Sequence, residues 1–228
     1  KPAKELQEHE KTLYYERMAF AIEIPSINGT IAENGLNLTI GGVRAYNLEN
    51  LYTRKTEEHF KIFIGFKNRV CCNLCVSTDG FKAEVKVRTI AELAKTAYNL
   101  FGEFNVYREL EKYNNLPETI ITESQFAQIV GRARLYQNMP AKKRKDIPVF
   151  PLSDGQVNLV VKDYYYSDKS FAKEETGDIN LWKLYNLFTG ANKMSYIDTF
   201  LDRGMGCQQF INGLHEAIGV NRYHWFLF

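Results

Sequence analysis

The stretch FKAEVKVRTIAELAKTAYNLF (residues 81–101) changes its period halfway along. In its first third Phe81, Ala83, Val85 and Val87 alternate with Lys82, Glu84 and Lys86, the period of two that puts one face of a strand on a core and its charges outward. From Thr89 onward the apolar residues are Ile90, Leu93, Ala94, Ala97, Leu100 and Phe101, spaced by three and four as on one face of a helix. Thr89 followed by Glu92 has the spacing of a capping box, which satisfies the free amides of a helix start. What lies on either side of this switch sets the fold class.

Upstream, FAIEI, LNLTIGGV, HFKIFIGF and RVCCNLCV are short β-branched or aromatic runs. Asn28-Gly29, Asn34-Gly35 and Asp79-Gly80 fall between runs and tolerate positive φ, so antiparallel hairpins are expected. Downstream, the helix that begins at Thr89 is expected to run on to Tyr113, and a second capping box, Thr122 with Gln125, opens a helix whose apolar face is Phe126, Ile129, Val130 and Ala133. VNLVVKDYYY (157–166) reads as one further strand. INLWKLYNLFTG (179–190) is apolar nearly all round, with a stripe of Asn180, Lys183 and Asn186, and predicts a central helix. SYIDTFLDR and CQQFINGLHEAIG predict two more short helices, and the aromatic RYHWFLF closes the chain. The expected architecture is α+β, an N-terminal antiparallel β-sheet packed against several amphipathic helices. No repeat or long linker divides it, so one domain over residues 1–228 is expected, β-rich over 18–88 and mainly helical over 89–228.

With 228 residues, 45% of them hydrophobic, the chain can fill a sizeable core. No apolar run approaches the ~20 residues of a spanning helix, and the charged opening KPAKELQEHEK is unlike a signal peptide, so a soluble cytoplasmic chain with no membrane partner is expected. A net charge of +2 is near balance and does not by itself advertise nucleic acid.

Three of the four cysteines, Cys71, Cys72 and Cys75, crowd into RVCCNLCV. Read as a strand, this run places Val70, Cys72, Leu74 and Val76 on one face and Cys71, Asn73 and Cys75 on the other. Zinc needs four ligands, and the remaining candidates are distant Cys207 and four scattered histidines, so no metal is expected. No base stands beside these thiols to activate them, and reduced core cysteines are the expectation. TGANKMS (189–195) lacks the first glycine of a phosphate loop and follows a helix instead of a strand. The acidic segment 162–178 contains Asp163, Asp168, Glu174, Glu175 and Asp178 without the spacing of a metal pair, and reads as a solvated loop in which Asp178 caps the next helix. His215 and His224 have no nucleophile or carboxylate at motif spacing. No cofactor and no catalytic residue is expected, and an enzyme ranks third among the readings.

The best functional lead is a cluster of cations. Arg132, Arg134, Lys142, Lys143, Arg144 and Lys145 are opposed only by Asp146, and Gln128 precedes them on the same expected helix. Such a set can neutralise phosphates, with Tyr136 or the Tyr164–Tyr166 run offering faces on which bases stack.

Five segments carry a resemblance: IEIPSINGTI, LNLTIGGVRAYNLENLY, HFKIFIGFKNRVCCNLCVSTDGF, SQFAQIVGRARLYQNMP and INLWKLYNLFTGANKMSYIDTFLDR. Together they resemble a family of Bacteroidetes and their phages, domain of unknown function 3871, over nearly the whole chain. GFKNRVCCNLCV and LWKLYNLFTG are also similar to a broader phage and plasmid family of unknown function. Members of the first family begin earlier, which implies that Lys1 is not the native start. The resemblance implies a mobile-element or prophage setting, where DNA replication, recombination and interference with host defence are common tasks, and it supplies no catalytic residue. Two readings follow. One is a non-catalytic nucleic-acid-binding accessory factor of single-strand annealing type that binds single-stranded DNA through Gln128, Arg132, Arg134, Lys142, Lys143, Arg144 and Lys145, and assembles as a homo-oligomer. The other is an interaction module for a host or element-encoded protein, acting without nucleic acid.

Overall fold

The computed structural model describes residues 18–44, 57–144, 149–166 and 170–220. Four of the five expected strands form, β1 (Met18–Ile31), β2 (Asn34–Arg44), β3 (Glu58–Asn68) and β5 (Phe81–Val87), while of RVCCNLCV only β4 (Leu74–Cys75) is strand. They make one antiparallel sheet in the order β1-β2-β3-β4, with β5 also paired to β3. Leu38, Ile62, Ile64 and Phe66 face the main core, while Val43 and Phe63 face a smaller apolar cluster on the opposite side.

Two irregularities in the strands correct the expected alternation. Between Phe60↔Val85 and Ile62↔Lys82 the pairing of β3 with β5 slips by one residue. A one-residue slip exchanges the faces of a strand. Val85 and Val87 therefore join the main core, Phe81 joins the smaller cluster and Ala83 is left exposed. In β1 the register shifts between Ile24 and Asn28, and Asn28-Gly29 lies inside the strand instead of at a turn. The turn is made by Ala32 and Glu33, whose φ values of 45° and 68° suit a tight hairpin. Gly29 is required for a different reason: a Cβ there would stand 2.6 Å from Leu110 Cδ1, so its absence lets the helix carrying Leu110 approach β1.

The helices are α1 (Ile90–Glu103), α2 (Val106–Asn114), α3 (Glu123–Tyr136), α4 (Ala141–Arg144), α5 (Asp154–Tyr165), α6 (Leu181–Asn192) and α7 (Ile197–Gly219). A short ladder of β6 (Ile120–Ile121) and β7 (Ile179–Asn180) ties the starts of α3 and α6 together. The single helix expected from Thr89 to Tyr113 is broken: Phe104 is extended and the Asn105 side chain accepts from Arg108 N at 3.0 Å, starting α2 afresh.

VNLVVKDYYY is helical and not a strand. Ser153 and Gln156 form a complete capping box at the start of α5, and Val160 and Tyr164, four apart, are buried on one side. The two short C-terminal helices expected are one, α7, of 23 residues. Gly204 and Gly206 weaken its middle, but side-chain anchors hold that region. Asp202 pairs with Lys61, and Arg203 donates to Pro151 O at 2.6 Å and to Gln156 Oε1 at 3.1 Å. Leu201 sits in the smaller cluster, while Cys207, Phe210, Ile211 and Leu214 sit in the main core.

Helix α6 is central, as its all-round apolarity requires. Trp182, Tyr185 and Phe188 are each at most 1% exposed, and Asn180 rather than Asp178 caps the helix, accepting from Lys183 N at 2.8 Å.

Candidate functional site

The cysteine-rich run is a turn and not a strand. After Asn68 the chain reverses: Cys72 N donates to Asn68 O and Asn68 N to Asn73 O, both at 2.9 Å, and Cys72 takes a left-handed φ of 56°. Only Leu74 and Cys75 rejoin the sheet. The turn therefore separates the three thiols by environment, with Cys71 half-buried, Cys72 exposed and Cys75 buried. Burial raises the Cys71 thiol above its ordinary value and pushes Cys75 up to about 12, so both stay protonated at neutral pH. The expectation of core cysteines holds for Cys75 and Cys207 and fails for Cys72. Among the described residues no group of three or more His, Cys, Asp or Glu comes together as a metal site.

A network that sequence reasoning missed fastens this turn to α6. Asn186 is 1% exposed and its Oδ1 accepts from Asn68 Nδ2 at 3.1 Å and from Cys71 Sγ at 3.5 Å. Asn73 Nδ2 donates to the Asn186 carbonyl at 2.8 Å. Asn186 was legible only as part of a polar stripe. Nothing in the linear pattern says that its partners are the two asparagines flanking the cysteines, 118 and 113 residues away.

The basic residues fall into three groups. Gln128 and Arg132, four apart, share one side of α3, the former exposed and the latter half-buried. Lys142 and Lys143 are exposed on α4, the short turn of helix after Pro140. Arg132, Lys142 and Lys143 have no carboxylate partner among the described residues. Arg134 differs: its Nε donates to Asp154 Oδ1 at 2.5 Å, tying the last turn of α3 to the first turn of α5. Arg144 ends α4, and Lys145 lies outside the described residues.

Of the aromatic residues expected to offer stacking faces, Tyr136 and Tyr164 are withdrawn into the core, at 1% and 0% exposure. Tyr164 stacks on Phe126 with centroids 3.8 Å apart. Tyr165 and Tyr166 stay exposed beside cations, Lys173 lying 4.6 Å over the Tyr165 ring and Lys162 lying 5.6 Å over the Tyr166 ring. Tyr165 also donates to Glu123 Oε1 at 2.6 Å, a bond that lowers the Glu123 carboxyl and raises the Tyr165 phenol. The start of α3 thus meets the end of α5 at these tyrosines, and its end meets the start of α5 at Arg134. The two helices run antiparallel.

Among the described residues no helix is long and apolar enough to cross a membrane. The fold and the surface together define an α+β protein with a partly uncompensated basic helical face. The family model described as "Domain of unknown function, B. Theta Gene description (DUF3871)" matches residues 1–227, and the chain belongs to that family. No curated protein and no solved structure matches it.

Proposed function

We propose that the chain is a non-catalytic nucleic-acid-binding factor that holds single strands along the α3–α4 face, in the mobile-element setting that its family resemblance implies. The observation that carries this reading is the set of uncompensated cations: Arg132, Lys142 and Lys143 have no carboxylate partner among the described residues, whereas Arg134 is paired. A cation without a carboxylate partner has no ion pair to break when it turns toward a phosphate, while a paired one must first give up its carboxylate. α3 has fourteen residues and spans about 21 Å, room for a backbone to pass several phosphates. Exposed Tyr165 and Tyr166, at the α5 end adjoining the start of α3, supply faces on which bases can stack. The cytoplasm is the compartment this reading requires, and assembly into a ring or filament would extend the face from copy to copy.

Fluorescence anisotropy with a labelled oligothymidylate tests it. About four engaged phosphates give a log–log salt slope near −3 for a single strand, at about 0.7 per contact. Lys142→Gln with Lys143→Gln should flatten that slope and leave the melting temperature unchanged, since both side chains are exposed. Absence of binding at about 50 mM salt, where phosphate contacts are strong, would refute the reading.

A second reading, the interaction module, draws on β1. Its outer edge has no strand partner among the described residues, and Phe20 and Ile22 are 47% and 53% exposed on it. An apolar, unpaired edge is suited to adding a strand from a protein partner. That reading takes over if oligonucleotides do not bind.

A further inference from the structure

We propose that a cleft between the β3–β4 turn, α5 and α6 is a binding site for a small molecule that carries an ammonium group on an apolar body, an apolar α-amino acid being the full match. This inference is independent of the nucleic-acid reading and uses none of its residues.

The cleft encloses about 480 Å³, within the range of about 300–1,000 Å³ usual for small-ligand sites. Its walls are apolar, formed by Leu159 of α5, Leu187 of α6, and Phe171 and Met194. Asn73 and Asp163 supply acceptors. Asn73 is 2% exposed, and its Nδ2 is committed to the Asn186 carbonyl, which fixes the orientation of the amide and leaves Oδ1 with no partner. A buried acceptor left in that state is unfavourable, a penalty that a ligand N–H can relieve. Asp163, half-buried on α5, lines the same cleft and has no partner among the described residues. Two acceptors, one of them anionic, call for a cationic donor. Lys193 stands on the same lining, and its Nζ spends one bond on Cys71 O at 2.5 Å, so further N–H groups remain for a carboxylate. Lys193 is bonded to Cys71, two residues from Asn73, so a carboxylate held there lies near an ammonium on Asn73, as the single α-carbon of an amino acid requires, and the apolar walls take its side chain.

Gly190 supplies an independent observation. It lies within α6, where helix propensity favours alanine over glycine. A Cβ there would clash with nothing: its nearest neighbours would be Asn73 Nδ2 and Oδ1, both at 3.8 Å. The helix therefore gives up propensity at the one lining position where a methyl group would fill the space in front of Asn73.

Isothermal titration of the whole chain with L-leucine, n-butylamine and butyrate, repeated on Gly190→Ala and Asp163→Asn, tests the site. Saturable binding of L-leucine is expected, weakened at least tenfold in Gly190→Ala, which should melt no lower than the parent. Asp163→Asn should weaken it by a similar factor. Binding of n-butylamine but not butyrate would support the ammonium site with Lys193 idle, and binding of L-leucine alone would support the full zwitterion. The proposal is overturned if neither L-leucine nor n-butylamine binds, if only butyrate binds, or if both variants bind as well as the parent.

Discussion

Replacing Trp182 by alanine tests whether α6 is the pillar of the core. The indole is 1% exposed, lies edge-on to Tyr113 with centroids 6.0 Å apart and beside Tyr185 at 5.8 Å, and its Nε1 donates to Asn34 Oδ1 at 3.0 Å. Emptying such a site costs about 3–5 kcal/mol, and the lost bond to Asn34 at the head of β2 contributes about 1 kcal/mol of that order. For a chain of this size each kcal/mol lowers the melting temperature by about 2–4 °C, so Trp182→Ala should melt about 6–20 °C below the parent. Trp182→Phe separates the two terms. It keeps most of the packing and loses the donor, and a fall of about 2–6 °C is expected from a loss of one to one and a half kcal/mol. Thermal unfolding followed by far-ultraviolet circular dichroism reads both. A Trp182→Ala protein that melts within a degree or two of the parent would refute a central α6, and Trp182→Phe as damaging as Trp182→Ala would show that the bond to the hairpin, and not the packing, is what matters.

Two further outcomes follow from the thiols. Under native conditions a maleimide reagent followed by mass spectrometry should label exposed Cys72 first, half-buried Cys71 more slowly, and Cys75 and Cys207 only after unfolding; early labelling of Cys75 would contradict its place in the core. Stability should fall as pH rises above about 9, because an unfolded cysteine then ionises while burial keeps Cys75 protonated up to about 12; below about 9 both states hold the proton and the effect vanishes. Cys75 alone should give about 1.4 kcal/mol per pH unit in that window. Burial likewise raises Cys207, Tyr113 and Tyr185 well above their ordinary values, so Cys75→Ala should reduce the alkaline slope without abolishing it, and an unchanged slope would refute the assignment.

The parts of the fold that were legible in the sequence are those in which local chemistry is sufficient. Thr89 and Thr122 cap helices because a hydroxyl at that spacing meets a free amide whatever surrounds it, and the Thr122–Gln125 box forms in full. α6 is buried because INLWKLYNLFTG is apolar on all but the narrow stripe of Asn180, Lys183 and Asn186. Where the reading failed, two local signals competed. In VNLVVKDYYY the β-branched and aromatic content favoured a strand, while Ser153 and Gln156, just outside the run, favoured a helix. The helix prevails because its capping box starts it and Tyr164 lands on Phe126. In FKAEVKV the alternation is genuine, yet one extra residue near Ala83 moves Phe81 to the other face. A bulge is set by what each half of the strand packs against, which the strand's own sequence does not contain.

The surface was legible as composition and not as geometry. Counting cations in 131–147 found the basic segment, but it could not distinguish Arg134, held by Asp154 twenty residues on, from Arg132, which no carboxylate among the described residues holds. Counting cysteines pointed at 71–75 for the wrong reason. The thiols attracted notice as possible ligands, whereas the groups that organise the turn are the asparagines beside them, Asn68 and Asn73, each bonded to Asn186 on α6. An amide is suited to that place because it donates and accepts at once, so it can close a tight turn and still reach a helix carbonyl. The same versatility makes asparagine unremarkable in a sequence, since at most surface positions it only meets water. What turns three ordinary asparagines into a buried network is that β3 and α6 approach closely enough to exclude water between them, a property of the assembled sheet and helix and of neither segment alone.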